Sequence, residues 1–427
     1  MSTDVAASAE RKVFRRLIPI AMLLLFVNLI DRTNISFAAL QMNEDLGLTP
    51  AVYGFAAGIF FVGYCVFEIP SNLLLVRVGA RRWLARIMIS WGVVVLAMAW
   101  VNGSRSLYLV RFLLGVAEAG LLPGLLYYLA AWIPPTRRAL AYSALMSTTA
   151  LSSLLGGPIS TGLMSLSGLG GLRGWQIMFI AESLLTVLIG VGVLWKLPET
   201  PLQASWLSPG EREHLLRSQL AQDGEKPLTA TPVWRGVLTD RRVLAATLLN
   251  FFLICCNFGT VYWLPLILKS LDLATWKIGL LTCVPYGLGG AAMLLWGRSS
   301  DRTADRRWHL VLGSLVAVLG YLWAAVADQP VMFFAALCVA IMGIWSTFGV
   351  FWAYTSDILE RRTAATGLAF VNSVSTLGGL VGPALIGLLR ERTHGFSSSL
   401  FGIALLAGTA AVLASRLKER SSPLLST

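Results

Sequence analysis

The stretch Leu24–Ala39 reads LLFVNLIDRTNISFAA and places an acid and a base, Asp31 and Arg32, in the middle of an otherwise apolar segment. A charged residue at the centre of a bilayer costs about 2.5–3.5 kcal/mol on insertion scales. Two charges in one helix therefore need partners inside the protein. We expect the rest of the chain to supply those partners and a water-filled cavity around them.

The bulk composition indicates a polytopic membrane protein. The 427 residues are 56% hydrophobic and 13% charged, with a mean hydropathy of +0.70, whereas soluble domains carry about 25% charged residues. The net charge of +12 lies mainly in short loops between apolar segments. It therefore indicates membrane topology and contact with lipid headgroups rather than binding of nucleic acid.

Twelve apolar segments of about 18–28 residues are each long enough to cross a bilayer as a helix. We predict an all-α polytopic membrane protein with twelve transmembrane helices in two pseudo-symmetric six-helix bundles. The spans are placed at 17–40, 53–76, 84–101, 107–133, 139–166, 175–197, 243–268, 276–297, 309–327, 330–355, 364–389 and 397–415.

A weak internal repeat divides the chain into halves. RVGARRW at Arg77–Trp83 matches RTADRRW at Arg302–Trp308, and each precedes the third span of its half. We predict an N-terminal bundle at 1–197, a cytoplasmic central loop at 198–242 and a C-terminal bundle at 243–427. A duplicated membrane protein of this kind commonly holds its site between the repeats.

The distribution of basic residues predicts the orientation. With the N-terminus inside, 26 Lys and Arg residues lie on the inner side and 6 on the outer side, which leaves Arg32 and Arg111 within spans. Because inner loops are enriched in Lys and Arg, we expect both termini to be cytoplasmic.

Span 4 carries a second acid and base, Arg111 and Glu118. Seven residues make about two helical turns, so both lie on one stripe of the helix. With Asp31 and Arg32 they could form a neutral cluster of four charges. Such a cluster could be a static ion-pair lattice, but charges within spans more often mark a substrate or ion path.

Polar side chains concentrate in spans 1, 4, 5, 7, 10 and 11, which predicts an inner ring of helices around a cavity. Taken singly, each hydroxyl or aromatic side chain fits a packing role better than a ligand role. The residues predicted to bind substrate are Arg32, Tyr64, Thr149, Ser153, Trp352, Asn372 and Thr376.

The loop after span 8 is a candidate gate. A glycine at a helix end permits a tight turn, and Asp301 could cap a helix or pair with a neighbouring one. The alternative is that its arginines only anchor the inner membrane face. The predicted gating residues are Gly297, Asp301, Arg302, Arg306 and Arg307.

These residues carry a resemblance to a known family. The GxxxDRxxxRR run at Gly297–Arg307 resembles the loop signature of the major facilitator superfamily. IDRTNISFA, the block GIFFVGYCVFEIPSNLLLVRVGARRWLARIMISWG, and RFLLGVAEAGLLPG resemble its anion:cation symporter family, in the bacterial organic-acid permease branch. LWGRSSDR and NSVSTLGGLVGP extend the similarity into the second half.

The resemblance implies proton-coupled uptake of an organic carboxylate through the bacterial inner membrane by alternating access. By matching motifs, Arg32 would bind the carboxylate, Asp31 and Glu118 would carry protons, Arg111 would tune them and Tyr64 would line the site. Span 11 departs from the family, because Ser375-Thr376 stands where a Gly-Asn pair is common. The substrate stays open between aromatic acids and hydroxy acids such as tartrate or sugar acids.

The expected partners are a small-molecule carboxylate and the lipid bilayer, with protons as the coupling ion and no other cofactor, metal or nucleic acid. We expect a monomer that is not an enzyme, since no span holds a nucleophile–base or metal constellation. The alternatives are an exporter that exchanges protons for a small molecule, or a membrane sensor that does not transport.

Overall fold

The computed structural model describes residues 3–223, 239–359 and 364–417. Its helices follow the predicted spans closely, and the span numbers are kept here. Spans 1 to 6 are Thr3–Asp45, Pro50–Val78, Ala80–Met98, the pair Ser104–Glu118 and Leu121–Trp132, Pro135–Met164, and Gly174–Lys196. Spans 7 to 12 are Arg241–Lys269, the pair Thr275–Leu281 and Cys283–Thr303, Arg307–Val326, Pro330–Ile358, the pair Ala364–Thr376 and Gly378–Thr393, and Ser397–Ser415.

The helices have the apolarity that a bilayer requires. Ten of the described segments are long and apolar enough to span a membrane by length and composition. Of the other two, span 3 begins with three arginines within seven residues, and span 5 is rich in serine, threonine and glycine. Large side chains such as Leu188, Leu319 and Leu405 are more than 60% exposed, as expected for surfaces that face lipid.

Spans 4, 8 and 11 each differ from the prediction, because each is two helices rather than one, and the break in span 4 concerns the site. The first helix ends at Glu118, and Gly120 adopts a left-handed conformation with φ +91° before the second helix begins at Leu121. Pro123 lacks an N–H and its ring conflicts with a continuous helix at this point. The break places a buried carboxylate at a helix end inside the bundle.

The central segment contains a polar helix at Pro209–Asp223, which packs against the N-terminal part of span 1. Lys12 donates to Glu211 at 2.8 Å, and Ser8 donates to the same carboxylate at 2.6 Å. This docking explains why span 1 begins at Thr3 rather than near residue 17. The proposed bundle boundaries stay a prediction, and residues 224–238 of the central loop lie outside the described part.

The two bundles pack tightly at the end of the molecule opposite the termini. The Tyr53 hydroxyl of span 2 donates to the Tyr262 carbonyl of span 7 at 2.7 Å, and Lys269 donates to the Leu40 carbonyl at 2.5 Å. A Cβ on Gly54 would lie 2.4 Å from the Pro383 carbonyl oxygen of span 11. The absence of a side chain at Gly54 is therefore what allows this close approach.

Candidate functional site

An ion pair between spans 1 and 4 forms the centre of the site. Arg32 donates from Nε to Oε1 of Glu118 at 2.8 Å, and its Nη2 contacts the same oxygen. The Arg32 side chain is 18% exposed and the Glu118 side chain is fully buried. Oε2 of Glu118 has no hydrogen-bond partner among the described residues. The arginine therefore faces the accessible side and the carboxylate lies behind it.

Aromatic rings of span 2 hold the arginines in place. The Arg32 guanidinium lies 5.0 Å from the Tyr64 ring centroid and 5.3 Å from that of Phe60. The Arg111 guanidinium lies 5.1 Å from the same Phe60 ring. Contacts of this kind attract a cation to the ring face and fix its orientation.

Arg111 is buried and forms no ion pair with a carboxylate of the described residues. It donates to the Ala56 and Ala57 carbonyls of span 2 at 3.3 and 3.1 Å, and its Nη1 has no partner among the described residues. Arg32, Arg111 and Glu118 together carry a formal charge of +1, and the buried acids Glu68 and Asp31 lie close enough to act on Arg32 and Glu118. Two guanidinium groups in a low-dielectric interior attract an anion.

Asp31 makes no hydrogen bond or ion pair with Arg32, Arg111 or Glu118 among the described residues, although it lies near enough to Glu118 for the two charges to interact. Its Oδ2 accepts hydrogen bonds from Trp91 of span 3 at 2.7 Å and from Thr186 of span 6 at 2.8 Å. Successive residues of a helix project about 100° apart. Asp31 and Arg32 therefore point to different neighbours although they are adjacent in sequence.

A cavity of about 140 Å³ lies between the bundles beside Arg32. Of the predicted substrate-binding residues, Arg32, Thr149 and Ser153 line it, and Tyr64 contacts Arg32 at its edge. The remaining lining residues are Leu29, Thr33, Ser36, Phe37, Ser152, Gly156, Gly157, Asn257, Phe258, Val261, Tyr286 and Trp345. The wall is amphipathic, with hydroxyls on the first bundle and aromatic rings on the second.

Trp352, Asn372 and Thr376 are not among the described residues that line this cavity. Trp352 packs against Phe351, and the Thr376 hydroxyl donates to the Asn372 carbonyl within its own helix. Trp345 lies seven residues before Trp352 and therefore on the same helix face, two turns away. Span 10 therefore reaches the cavity with Trp345 rather than Trp352, and a substrate-binding role for Trp352, Asn372 and Thr376 stays a prediction.

Three residues of the second bundle that we did not predict as substrate-binding complete the wall. Trp345 donates from its indole nitrogen to Oδ1 of Asn257 at 3.2 Å, and its ring lies 5.6 Å from that of Tyr286. Asn257 and Trp345 could have been predicted as cavity residues from their polar and aromatic side chains, since they lie in spans 7 and 10 of the predicted inner ring. Tyr286 belongs to span 8, which the prediction left outside that ring.

The predicted gating loop forms contacts within the second bundle. Arg306 donates to Asp301 at 2.6 Å and to the buried Ser300 hydroxyl at 3.0 Å, and it lies 3.7 Å from Asp357 at the end of span 10. Arg307 donates to the Ser415 carbonyl of span 12. These bonds tie the ends of spans 8, 9, 10 and 12 together. Gly297 lies inside the helix Cys283–Thr303 rather than at its end, so the expected tight turn does not form there, and Arg302 lies in the last turn of the same helix. A gating role for the five residues stays a prediction.

Known proteins resemble this chain over nearly its whole length. Residues 21–383 match the model of the Major Facilitator Superfamily. A protein of Agrobacterium vitis that carries the name tartrate transporter is 42% identical, over 99% of this chain and 94% of its own. A quinolone resistance transporter of Acinetobacter baumannii is 36% identical, over 94% and 93%.

The fold has solved counterparts. The structure of a bacterial homologue of the human lysosomal transporter Spinster, inward-facing and unoccupied, superposes with a TM-score of 0.82 at 17% identity and covers 99% of this chain and 100% of that one. With the family model and the relatives, this similarity confirms the predicted twelve-helix fold of two six-helix bundles. The chain is a multi-pass membrane transporter, is not an enzyme, and belongs to the Major Facilitator Superfamily.

Proposed function

We propose that this transporter imports a small organic carboxylate together with protons by alternating access. The observation that carries the proposal is the ion pair between Arg32, at the cavity wall, and Glu118, which is fully buried behind it. The two guanidinium groups at this site, Arg32 and Arg111, favour an anionic substrate. The guanidinium fork suits a carboxylate, which it can bind through two parallel hydrogen bonds.

Proton coupling follows from competition for Arg32. A substrate carboxylate that binds Arg32 takes the guanidinium away from Glu118. A buried carboxylate that loses its cation is favoured to take up a proton. Glu118 therefore becomes neutral as substrate binds, and it releases the proton when the arginine returns to it. Arg111 stays in place and adds a fixed positive charge to the site.

The polar lining favours a small hydroxylated acid. Thr33, Ser36, Thr149, Ser152 and Ser153 place hydroxyl groups along the first-bundle side of the cavity. Hydroxyl groups can both donate to and accept from substrate hydroxyls. The name of the Agrobacterium relative agrees with this choice, and tartrate is the first candidate to test. We further propose that both termini face the cytoplasm, that the protein lies in the bacterial inner membrane, and that it acts as a monomer.

The test is uptake of radiolabelled tartrate by proteoliposomes that contain the purified protein. With the lumen alkaline relative to the outside, tartrate should accumulate above its external concentration, and an added protonophore should abolish the gradient of substrate. A pH indicator inside the vesicles should report acidification that depends on tartrate. Equal concentrations on both sides with no acidification, for tartrate and for a panel of hydroxy and aromatic acids, would overturn the proposal.

A second candidate is proton-driven export of a neutral or zwitterionic compound. The 36% identity to a quinolone resistance transporter is the observation that favours it. The two functions differ in direction of flux. An exporter would show quinolone uptake into inside-out vesicles and no accumulation of carboxylates in the assay above.

A further inference from the structure

A second cavity, of about 340 Å³, lies between the two bundles at the end of the molecule opposite the termini, where the bundles pack tightly. Its wall comes from the ends of spans 1, 7 and 11 and from the beginning of span 2. We refer to it as the end cavity, and its polar lining residues are Asn43, Glu44, Lys269, Ser270 and Arg390.

The end cavity is separate from the cavity beside Arg32 but lies in line with it. Among the described residues, the two cavities share no lining residue. Span 7 lines the first with Val261 and the end cavity with Trp263, two residues further along the helix. Two residues correspond to about 3 Å along a helix axis. A molecule that leaves the end cavity inward therefore comes directly to the substrate site.

Arg390 is the fixed cation of the end cavity. Its guanidinium lies 3.7 Å from the Phe396 ring centroid and 6.0 Å from that of Trp263. Trp263 is itself held by the bond from its indole nitrogen to the Pro383 carbonyl at 3.0 Å. Nη1 of Arg390 is buried and has no hydrogen-bond partner among the described residues. The rings therefore fix the guanidinium and leave this N–H group for a ligand.

Lys269 is the second cation of the end cavity, and it is exposed at this end of the molecule. Its ammonium group donates to the Leu40 carbonyl of span 1 at 2.5 Å. An ammonium group has three N–H donors. Lys269 can therefore bind a ligand in the end cavity in addition to its contact with span 1.

The carboxylates near these two cations are not paired with them. In the described part of the chain, neither Lys269 nor Arg390 forms an ion pair. Glu44 lines the cavity but is exposed, and Glu391 accepts from the Ala51 backbone N–H of span 2 at 2.8 Å. With two bases and one acid in its wall, the end cavity favours an anion.

Asn43 indicates which kind of anion fits. Its Oδ1 is buried and has no hydrogen-bond partner among the described residues, so the wall holds a vacant acceptor as well as a vacant donor. A hydroxy acid satisfies both, because its carboxylate accepts from Arg390 and Lys269 and its hydroxyl donates to Asn43. A carboxylate without a hydroxyl group satisfies only the cations.

We propose that the end cavity is a second binding site for hydroxy acids, which receives substrate from outside before it reaches Arg32. Arg390 and Lys269 bind the carboxylate and Asn43 accepts from the substrate hydroxyl. The inference rests on the proposed function for the identity of the ligand and for the direction from which it arrives. The site itself is tested independently of proton coupling.

The contact of Lys269 with span 1 links this site to opening of the closed end. Lys269 belongs to the second bundle and Leu40 to the first, so their bond holds the bundles together. An ammonium group is attracted more strongly to a carboxylate, which carries a full charge, than to a neutral carbonyl. A bound hydroxy acid therefore draws Lys269 away from span 1 and favours the opening through which substrate passes to Arg32.

The experiment measures how external tartrate protects Lys269 from a membrane-impermeant, amine-reactive reagent in right-side-out membrane vesicles, with mass spectrometry as the readout. At about ten times the Kd of the site, tartrate should slow acylation of Lys269 about tenfold, since only the free site reacts. Lys277 is exposed and does not line the end cavity, so its acylation should not change. Succinate, which lacks hydroxyl groups, should protect Lys269 less. Equal protection by succinate would overturn the assignment to hydroxy acids.

Three variants show whether the protection comes from the end cavity. Arg390→Gln should abolish protection of Lys269 while tartrate binding at Arg32 persists, which also shows that the variant is folded. Arg392→Gln removes an exposed arginine that does not line the cavity, so this matched control should keep the protection. Arg32→Lys should keep it as well. Unprotected Lys269 in wild-type protein, or protection that survives Arg390→Gln and is lost in Arg32→Lys, would overturn the proposal.

Uptake kinetics test the role in receiving substrate. At low ionic strength, Arg390→Gln should raise the KM for tartrate about threefold to tenfold relative to Arg392→Gln, and the difference should shrink as salt approaches about 1 M, because salt screens the attraction. Equal KM values for the two variants at low salt would contradict this role. Protection of Lys269 without tartrate-dependent proton movement would support the end cavity and defeat the proposed function instead.

Discussion

The two bundles contribute different chemistry to the cavity between them. The first bundle holds buried acids and bases at its core, among them Asp31, Arg111, Glu118 and Glu182. In the described part of spans 7–12 no Asp, Glu, Lys or Arg side chain is buried, and the cavity wall there consists of Asn257, Tyr286, Trp345 and apolar residues. Under the proposed function, charge and proton handling would therefore belong to the first bundle, and recognition of substrate shape to the second.

The largest expected effect is loss of Arg32. Arg32→Lys keeps a positive charge but loses the planar fork, so we expect tartrate affinity to fall by about 100-fold, equivalent to roughly 2.7 kcal/mol. Arg302→Lys, in the last turn of span 8, is the control and should bind normally. The measurement is scintillation proximity binding on purified protein. Normal affinity in Arg32→Lys would place carboxylate recognition elsewhere.

The next effect concerns the closed end of the molecule. Gly387→Leu puts a side chain where a Cβ alone would lie 2.3 Å from the Pro50 carbonyl oxygen, so the bundles should no longer close at this end. Net uptake should fall at least tenfold while tartrate binding persists. A Cβ on Gly192 of span 6 meets nothing within 4 Å, so Gly192→Leu is the matched control. Equal uptake by the two variants would show that this contact does not limit the cycle.

A smaller effect is expected in the second bundle, because its residues recognise shape rather than charge. Asn257→Ala removes the acceptor of the Trp345 indole and a polar group of the cavity wall. We expect the KM for tartrate to rise about fivefold to tenfold, with the proton-to-tartrate ratio unchanged. Uptake kinetics and the reversal potential measure the two quantities. A changed proton-to-tartrate ratio would show that the second bundle also takes part in proton coupling.

The smallest effect lies outside the membrane, at Glu211. Burial opposes ionisation of Glu211, but hydrogen bonds from Lys12, Ser8 and the Ser208 backbone outweigh it and lower its pKa to about 2. An acid with a lowered pKa stabilises the folded state above its unfolded pKa of about 4.3, and this contribution is lost as the pH falls toward 2. Stability from this contact should therefore be constant between pH 6 and pH 8.

Glu211→Gln should lower the Tm by about 1–3 °C at pH 7 and leave transport unchanged. Glu213→Gln, which removes only an exposed pair with Arg217, is the control and should leave the Tm unchanged. Differential scanning fluorimetry on detergent-solubilised protein makes the comparison. Equal Tm values for the two variants would show that docking of the N-terminal segment on this helix contributes nothing.

The sequence predicted those features that depend on the cost of charge and length in a bilayer. The positions of the spans follow from apolar length, and Arg32 and Glu118 stand out because hydrocarbon does not tolerate them. Gly120 and Pro123 could have predicted the break in span 4, whereas the length of the apolar segment could not. The sequence could not predict which helices the Asp31 side chain faces, because its neighbours depend on how the spans pack.

The sequence also did not show at which depth in the membrane the cavity lies. Trp352 and Trp345 share a helix face, and only the packing of spans 7, 8 and 10 places the cavity at Trp345. Asn372 and Thr376 are polar residues of a central span, yet the Thr376 hydroxyl donates to the Asn372 carbonyl within the same helix. Intrahelical satisfaction of a threonine hydroxyl is common and cannot be distinguished from a ligand role in a sequence.

The central claim is that Glu118 takes up a proton when substrate binds Arg32, and Glu118→Gln tests it most directly. Glutamine keeps the shape and an acceptor oxygen for Arg32 but cannot titrate. In proteoliposomes, the variant should exchange internal for external tartrate at a rate within a few fold of wild type, and it should fail to accumulate tartrate when a pH gradient is imposed. Accumulation equal to wild type under the same gradient would contradict the account.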